Sequence, residues 1–158
     1  VFPTKFRKVI NPKANRAKIK SKKITIDGTT FDSELEGYMY TLLKNAGLKF
    51  SYEGIKYPLL PKYDYPVECY ERPFSGASKE FKDRRLVRAM VYTPDFVGEN
   101  EEWIIETKGK ANESFPLRWK IFKAIMKRRA NPPILFLPAT QVECREVLKI
   151  LKSKGYGE

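Results

Sequence analysis

Val91 to Val97 and Trp103 to Thr107 are rich in β-forming side chains, and Gly98-Glu99-Asn100-Glu101-Glu102 between them has the composition of a turn. A hairpin here constrains the rest of the chain, because it decides which residues face one another. It brings Asp95, in Tyr92-Thr93-Pro94-Asp95-Phe96, beside Glu106, which follows eleven residues later in Glu106-Thr107-Lys108-Gly109. Strand side chains alternate faces, so Glu106 and Lys108, two apart, point to the same side. Two hard carboxylates at one place attract a hard divalent cation, and magnesium usually takes one or two protein carboxylates plus substrate phosphate. A lysine next to such an ion can orient an attacking water or help deprotonate it.

The bulk composition fits that chemistry and removes several others. A chain of 158 residues with 42% hydrophobic and 13% aromatic residues can build one domain with a core. Its 31 Lys and Arg against 19 Asp and Glu leave a net charge of +12, which favours a polyanionic partner. Ribosomal and membrane-surface proteins share that balance, so charge alone does not choose among them. There is no histidine. That excludes Ser-His-Asp and Cys-His catalysis, His-ligated zinc, and any nuclease whose general base is a histidine. Cys69 and Cys144 are far apart in sequence and read as reduced thiols in the cytoplasm, not as a metal pair or a disulfide framework. No apolar run reaches the ~18–20 residues of a membrane span, and no signal peptide is visible. The expectation is a cytoplasmic protein without a membrane partner.

Along the chain, residues 1–23 carry nine Lys and Arg and no acid, and read as a basic arm, either a solvated tail or a DNA contact. Residues 24–158 form the main domain. Ile24 to Phe31 reads as a short strand and glycine turn, and Ser33 to Ala46 as a helix with Leu35, Met39, Leu42, Leu43 and Ala46 on its apolar face. Gly47 is its expected stop. Leu48 to Tyr52 reads as a strand. The stretch 58–90, with prolines at 58, 61, 66 and 73, resists assignment. It suggests an irregular insertion with an extra strand near Val67 to Tyr70. After the hairpin, Pro116 to Arg129 reads as a helix with Leu117, Ile121, Phe122 and Ile125 as its apolar stripe. Arg118, Lys120, Lys123, Lys127, Arg128 and Arg129 are its cations. Ile134 to Leu137 is a short strand and Gln141 to Ser153 a closing helix using Val147, Leu148 and Leu151. This order predicts an α/β fold, a mixed sheet flanked by helices.

Glu34 and Glu36 on the first helix are candidates for a further carboxylate. At about 100° per residue, Glu36 falls with Met39, Tyr40 and Leu43 at the edge of the buried stripe, and Glu34 falls on a more polar face. Ser33 and Glu36 also have capping-box spacing, which would give Glu36 only a local role. Geometry leaves the two roles equal.

The pattern Pro-Asp…Glu-x-Lys resembles the active site of the PD-(D/E)xK nucleases. Together with Phe31-Asp32-Ser33-Glu34-Leu35-Glu36 and Gly47-Leu48-Lys49-Phe50-Ser51-Tyr52-Glu53, it resembles the phage endonuclease I family of Holliday-junction-resolving enzymes over residues 31–57 and 92–109. The resemblance implies a restriction-endonuclease-like fold. It also implies Glu36 as the first-helix catalytic glutamate, Asp95 and Glu106 as metal-binding acids, Lys108 as catalytic lysine, and the Thr107 backbone carbonyl as a further ligand. Its family forms intertwined homodimers. The stretch 58–90 and the basic arm depart from the family pattern.

The resulting expectation is a magnesium-dependent endodeoxyribonuclease acting as a homodimer on branched DNA, with manganese able to substitute and Glu36 completing the metal site. Arg118, Lys120, Lys123 and Lys127 are the expected phosphate contacts, against the alternative of a solvated helix face. Two other functions remain open at this point: a restriction- or transposase-type nuclease of the same superfamily, and a non-catalytic nucleic-acid-binding protein.

Overall fold

A computed structural model describes residues 22–76 and 79–157. Except for Lys22 and Lys23, the basic arm lies outside the described residues. Ile24–Ile26 (β1) turns into Thr29–Phe31 (β2), and Ser33 caps helix α1, Glu34–Asn45. Phe50–Tyr52 (β3) is followed by Tyr57–Leu60 (β4), Tyr63–Asp64 (β5), Tyr70–Glu71 (β6), Lys82–Asp83 (β7), Leu86–Val87 (β8) and Met90–Tyr92 (β9). Phe96–Gly98 (β10), Trp103–Ile105 (β11), helix α2 (Phe115–Met126), Ile134–Phe136 (β12) and helix α3 (Gln141–Ser153) complete the order.

The fold is mixed α/β. Its central sheet has the order β12-β11-β10-β3, with β10 antiparallel to both β11 and β3, and β12 parallel to β11. The two-residue period of β10 and β11 divides the core into two layers. Phe96 and Ile105 face α1 and α3, packing with Met39, Leu43, Cys144, Val147 and Leu151. Val97 and Ile104 face the other way, packing with Tyr57, Tyr92, Phe115, Trp119 and Phe122 on β4, β9 and α2. Gly98 allows Trp103 to lie against the backbone, since a Cβ there would meet the indole at 2.7 Å. Gly47, at φ +66, ends α1 in the left-handed conformation expected of it. No helix among the described residues is long and apolar enough to cross a membrane.

Three sequence expectations change. Val91 to Val97 is not one strand: β9 pairs with β4, the ladder breaks at Thr93-Pro94-Asp95, and β10 begins again in the central sheet. Pro94 has no N–H to give to a ladder, which accounts for the break. The apolar stripe of α2 is Phe115, Trp119, Phe122 and Met126, with Ile121 and Ile125 half-buried, whereas Leu117 is exposed. The bulky aromatics take the sheet-facing side and rotate Leu117 out. The stretch 58–90 is irregular in places, with a register shift between Pro58 and Leu60, but it holds more strand than the sequence suggested. It continues the β4–β9 pair outward through β5–β8 and β6–β7 as one antiparallel ribbon, and its strand begins at Tyr70, not Val67.

Candidate active site

Phe96 pairs with Ile105 at the last rung of the β10–β11 ladder, so the next residues outward are Asp95 and Glu106. Both stand where the two core layers part at the end of the sheet, and both are buried, 8% and 5% exposed. Asp95 Oδ2 accepts hydrogen bonds from the Thr107 amide (2.7 Å) and the Thr107 hydroxyl (2.6 Å). Lys108 Nζ lies 3.8 Å from Glu106 Oε1 and sits over the Phe115 ring, 5.1 Å from its centroid. The other carboxylate oxygen, Glu106 Oε2, is buried without a hydrogen-bond partner. Beside it the buried Tyr92 hydroxyl also lacks a partner of acceptable geometry, although it is close enough to help hold the Glu106 charge.

Burial raises the Asp95 carboxyl well above the ordinary range, and repulsion from Glu106 adds to that shift. The two Thr107 hydrogen bonds oppose it. Burial also raises Glu106, against the lowering influence of Tyr92 and Lys108. Two acids that both resist ionising are short of positive charge, a deficit that a bound cation would supply.

Glu36 closes the start of α1 and also lines the cleft. Ser33 Oγ accepts from the Glu36 amide (3.2 Å), which is the helix cap. The Glu36 carboxylate accepts from Ser33 Oγ (2.8 Å), the Asp32 amide (3.1 Å) and the Tyr52 hydroxyl (2.8 Å). It is 8% exposed and lines a cleft of about 540 Å³ with Glu53, Asp95, Glu106, Lys108 and Lys110. Glu34 points outward and pairs with Lys22 at 3.2 Å. Among the described residues, no three acidic, cysteine or histidine side chains converge tightly enough to cage an ion. The candidate ligands are therefore the Asp95–Glu106 pair, a number of carboxylates that suits magnesium.

A second cavity of about 220 Å³ shares Thr93, Glu106 and Lys108 with the cleft and extends it to Asn112 and Arg118. Arg118 Nη2 donates to the Val91 carbonyl at 2.6 Å, which fixes the guanidinium at this edge. Lys120, Lys123 and Lys127 are exposed but occupy an arc of about 60° on the other flank of α2. Of the four expected phosphate contacts, Arg118 alone lines the cavities.

Sequence reasoning missed Tyr52, Glu53 and the side chains of Thr107 and Tyr92. Tyr52 and Glu53 reach the site because β3 pairs with β10, matching Tyr52 to Phe96, and the Glu53 amide donates to the Asp95 carbonyl at 2.9 Å. Burial, with Asp32 and Glu36 nearby, raises the Glu53 carboxyl. A strand partner distant in sequence leaves no local pattern.

The model of a family described as "Protein of unknown function (DUF1064)" matches residues 16–135. The chain belongs to the DUF1064 family. The matched span contains α1, the ribbon, the β10–β11 hairpin and α2, and with them every candidate site residue. No curated protein and no solved structure matches the chain.

Proposed function

We propose that this chain is a magnesium-dependent endodeoxyribonuclease that hydrolyses phosphodiester bonds in branched DNA such as Holliday junctions. The observation that carries the reading is the buried pair Asp95 and Glu106, both disfavoured as anions, with an unpartnered oxygen on Glu106 and Lys108 3.8 Å away. A metal would sit on these two acids, with the Thr107 carbonyl as a further position, and Glu36 would serve a second metal position or orient water. Magnesium, or manganese in its place, would neutralise charge on the phosphate and make water a better nucleophile at neutral pH.

The chain's own residues do the rest. Thr107 fixes the rotamer of Asp95 through two short hydrogen bonds. Ser33 and Tyr52 hold Glu36 toward the cleft. Lys108, anchored between Glu106 and the Phe115 ring, orients the attacking water and takes part in its deprotonation. Arg118 holds a neighbouring phosphate, a contact that positions DNA without reading its sequence.

The resemblance of residues 31–57 and 92–109 to the junction-resolving endonucleases supports a branched substrate. Resolution needs two coordinated nicks, and one chain carries one such site, so the reading includes a two-fold homodimer. The test compares magnesium-dependent cleavage of a four-way junction with that of linear duplex of the same sequence, alongside light scattering. Junction cleavage by a dimer is expected. A monomer that cuts linear duplex equally well leaves a general nuclease, and no cleavage of either DNA refutes the reading.

A further inference from the structure

The ribbon from Pro61 to Ala89 has no core of its own: none of its described residues is buried. A two-stranded ribbon exposed on both faces is marginal in water unless something covers it. This one nevertheless presents Tyr63, Tyr65, Val67, Tyr70, Phe74, Phe81 and Leu86 to solvent. The rings of Tyr70 and Phe81 lie 6.1 Å apart, centroid to centroid, and are 60% and 64% exposed, and Phe74 near the tip is fully exposed. Isolated exposed apolar residues are ordinary, but a row of five aromatics on a coreless ribbon marks a binding surface.

Charge indicates what binds there. Residues 61–89 hold seven Lys and Arg against five Asp and Glu. Lys82 pairs with Glu80, and Arg85 pairs with Asp83 and Glu68, so much of the negative charge is neutralised within the ribbon. Among the described residues, Lys62, Arg72, Lys79, Arg84 and Arg88 make no ion pair. The ribbon root is also the wall of the cleft: β9 leads directly into Thr93-Pro94-Asp95, and Val91, Tyr92 and Thr93 line the smaller cavity with Glu106 and Lys108. At roughly 3.3 Å per residue, the outgoing strands extend on the order of 30 Å from that root.

We propose that the ribbon is a nucleic-acid stacking arm, whose exposed aromatics and unpaired cations bind unpaired bases of the DNA beside the cleft. Aromatic faces accept any base, and interleaved cations follow the backbone, which is how single strands are held without sequence preference. A second copy of the chain fits less well. A two-fold interface sets one patch against itself and would press two ribbons of net positive charge together. The inference rests on the nuclease reading for the identity of the polyanion and specifies that reading: the substrate carries unpaired bases next to the scissile phosphate.

The test measures binding of the full chain in EDTA, by fluorescence anisotropy, to a single strand, a forked duplex and a linear duplex. The variant is Tyr70→Ala/Phe74→Ala/Phe81→Ala. Base stacking predicts roughly tenfold or greater weakening on the single strand and the fork, with less than about twofold change on the duplex. A 2-aminopurine in the unpaired region should change fluorescence with the wild type and not with the variant. If the triple variant loses folded structure, Phe74→Ala alone, at a fully exposed position, gives the same comparison with a smaller loss. Unchanged single-strand affinity overturns the proposal. So does an equal loss on all three DNAs, which would mean groove docking. So does unchanged affinity with a dimer falling to monomer, which would make the occupant a second copy. Because binding is read without metal, failure to cleave DNA would overturn the nuclease reading without altering this outcome.

Discussion

At the cleft, polar groups are buried where core would otherwise continue: Asp95, Glu106 and Thr107 lie beyond Phe96 and Ile105, and Glu36 faces the cleft from α1, all at most 8% exposed. Along the ribbon the reverse holds, and Tyr63, Tyr65, Tyr70, Phe74 and Phe81 stand in water where a solvated hairpin would carry polar side chains. Both departures cost stability, the first through desolvation and repulsion, the second through unburied apolar surface. They differ in what holds them in place. The cleft acids are fixed by two layers of packed side chains and by hydrogen bonds from Thr107, Ser33 and Tyr52. The ribbon is fixed by little more than its own ladder. On the proposed reading, chemistry that needs defined geometry sits on the packed part, and the surface that would adapt to a strand of varying shape sits on the arm.

The largest contrast should appear in unfolding experiments. Phe122→Ala removes a fully buried ring packed against Tyr57, Tyr92 and Trp119 and should cost about 3–5 kcal/mol in urea denaturation. Phe74→Ala should change stability by less than about 0.5 kcal/mol. A comparable loss from Phe74→Ala would mean that the ribbon packs against something, which breaks the contrast.

Next comes Glu36→Gln, expected to lower cleavage about a hundredfold, the scale of removing one charged group from such a site, while Glu34→Gln stays within about twofold. Because Glu36 also accepts hydrogen bonds from Asp32, Ser33 and Tyr52, a small fall in Tm should accompany the loss of rate. A fall in Tm by itself, with cleavage intact, would reduce Glu36 to a helix cap.

The pH dependence of stability sharpens the cleft side. Asp95 and Glu106 have folded-state pKa values raised by burial, so the folded state binds more protons than the unfolded state in the window above ordinary carboxylate values. Stability should be greatest below about pH 4 as far as these groups are concerned, and should fall as pH rises through their raised values. Asp95→Asn should flatten that fall and raise stability near pH 8 by about 1–3 kcal/mol. Magnesium should raise the Tm of the wild type at pH 8 more than at pH 5, and should barely affect Asp95→Asn. A pH-independent magnesium effect would place the ion elsewhere.

The smallest effect concerns phosphate contacts. Arg118→Gln should lower DNA affinity and reduce the salt slope by about one. Lys123→Gln, on the other flank of α2, should do less at the cleft. Equal effects would mean that the whole helix faces DNA.

The sequence revealed the two regions unequally. The hairpin was legible because β-rich runs around a turn fix a local register, and Pro-Asp…Glu-x-Lys placed the acids and lysine on it. Glu36 was legible as a position on α1, but not as a residue that caps the helix and faces the cleft together. The Tyr52 and Glu53 contributions depend on β3 pairing with β10 across 44 residues (Tyr52↔Phe96), which no local pattern encodes. The ribbon was obscured by its prolines and by the short length of its strands, and an alternation with both faces exposed carries no inside-outside signal. On α2 the stripe included Phe122 but took Leu117 in place of Trp119, because the spacing Leu117, Ile121, Ile125 was followed and the bulk of Phe115 and Trp119 was not.

On the proposed reading, Asp95, Glu106 and Lys108 are the place of phosphodiester hydrolysis. Single-turnover cleavage of a four-way junction in magnesium, by the wild type, Asp95→Ala and Lys108→Ala, with DNA affinity measured in parallel, tests that most directly. Cleavage by the wild type, loss of at least about a hundredfold in each variant, and affinity within a few-fold of wild type is the predicted result. Either variant cutting at near the wild-type rate, or a wild type that binds but never cuts, would contradict it.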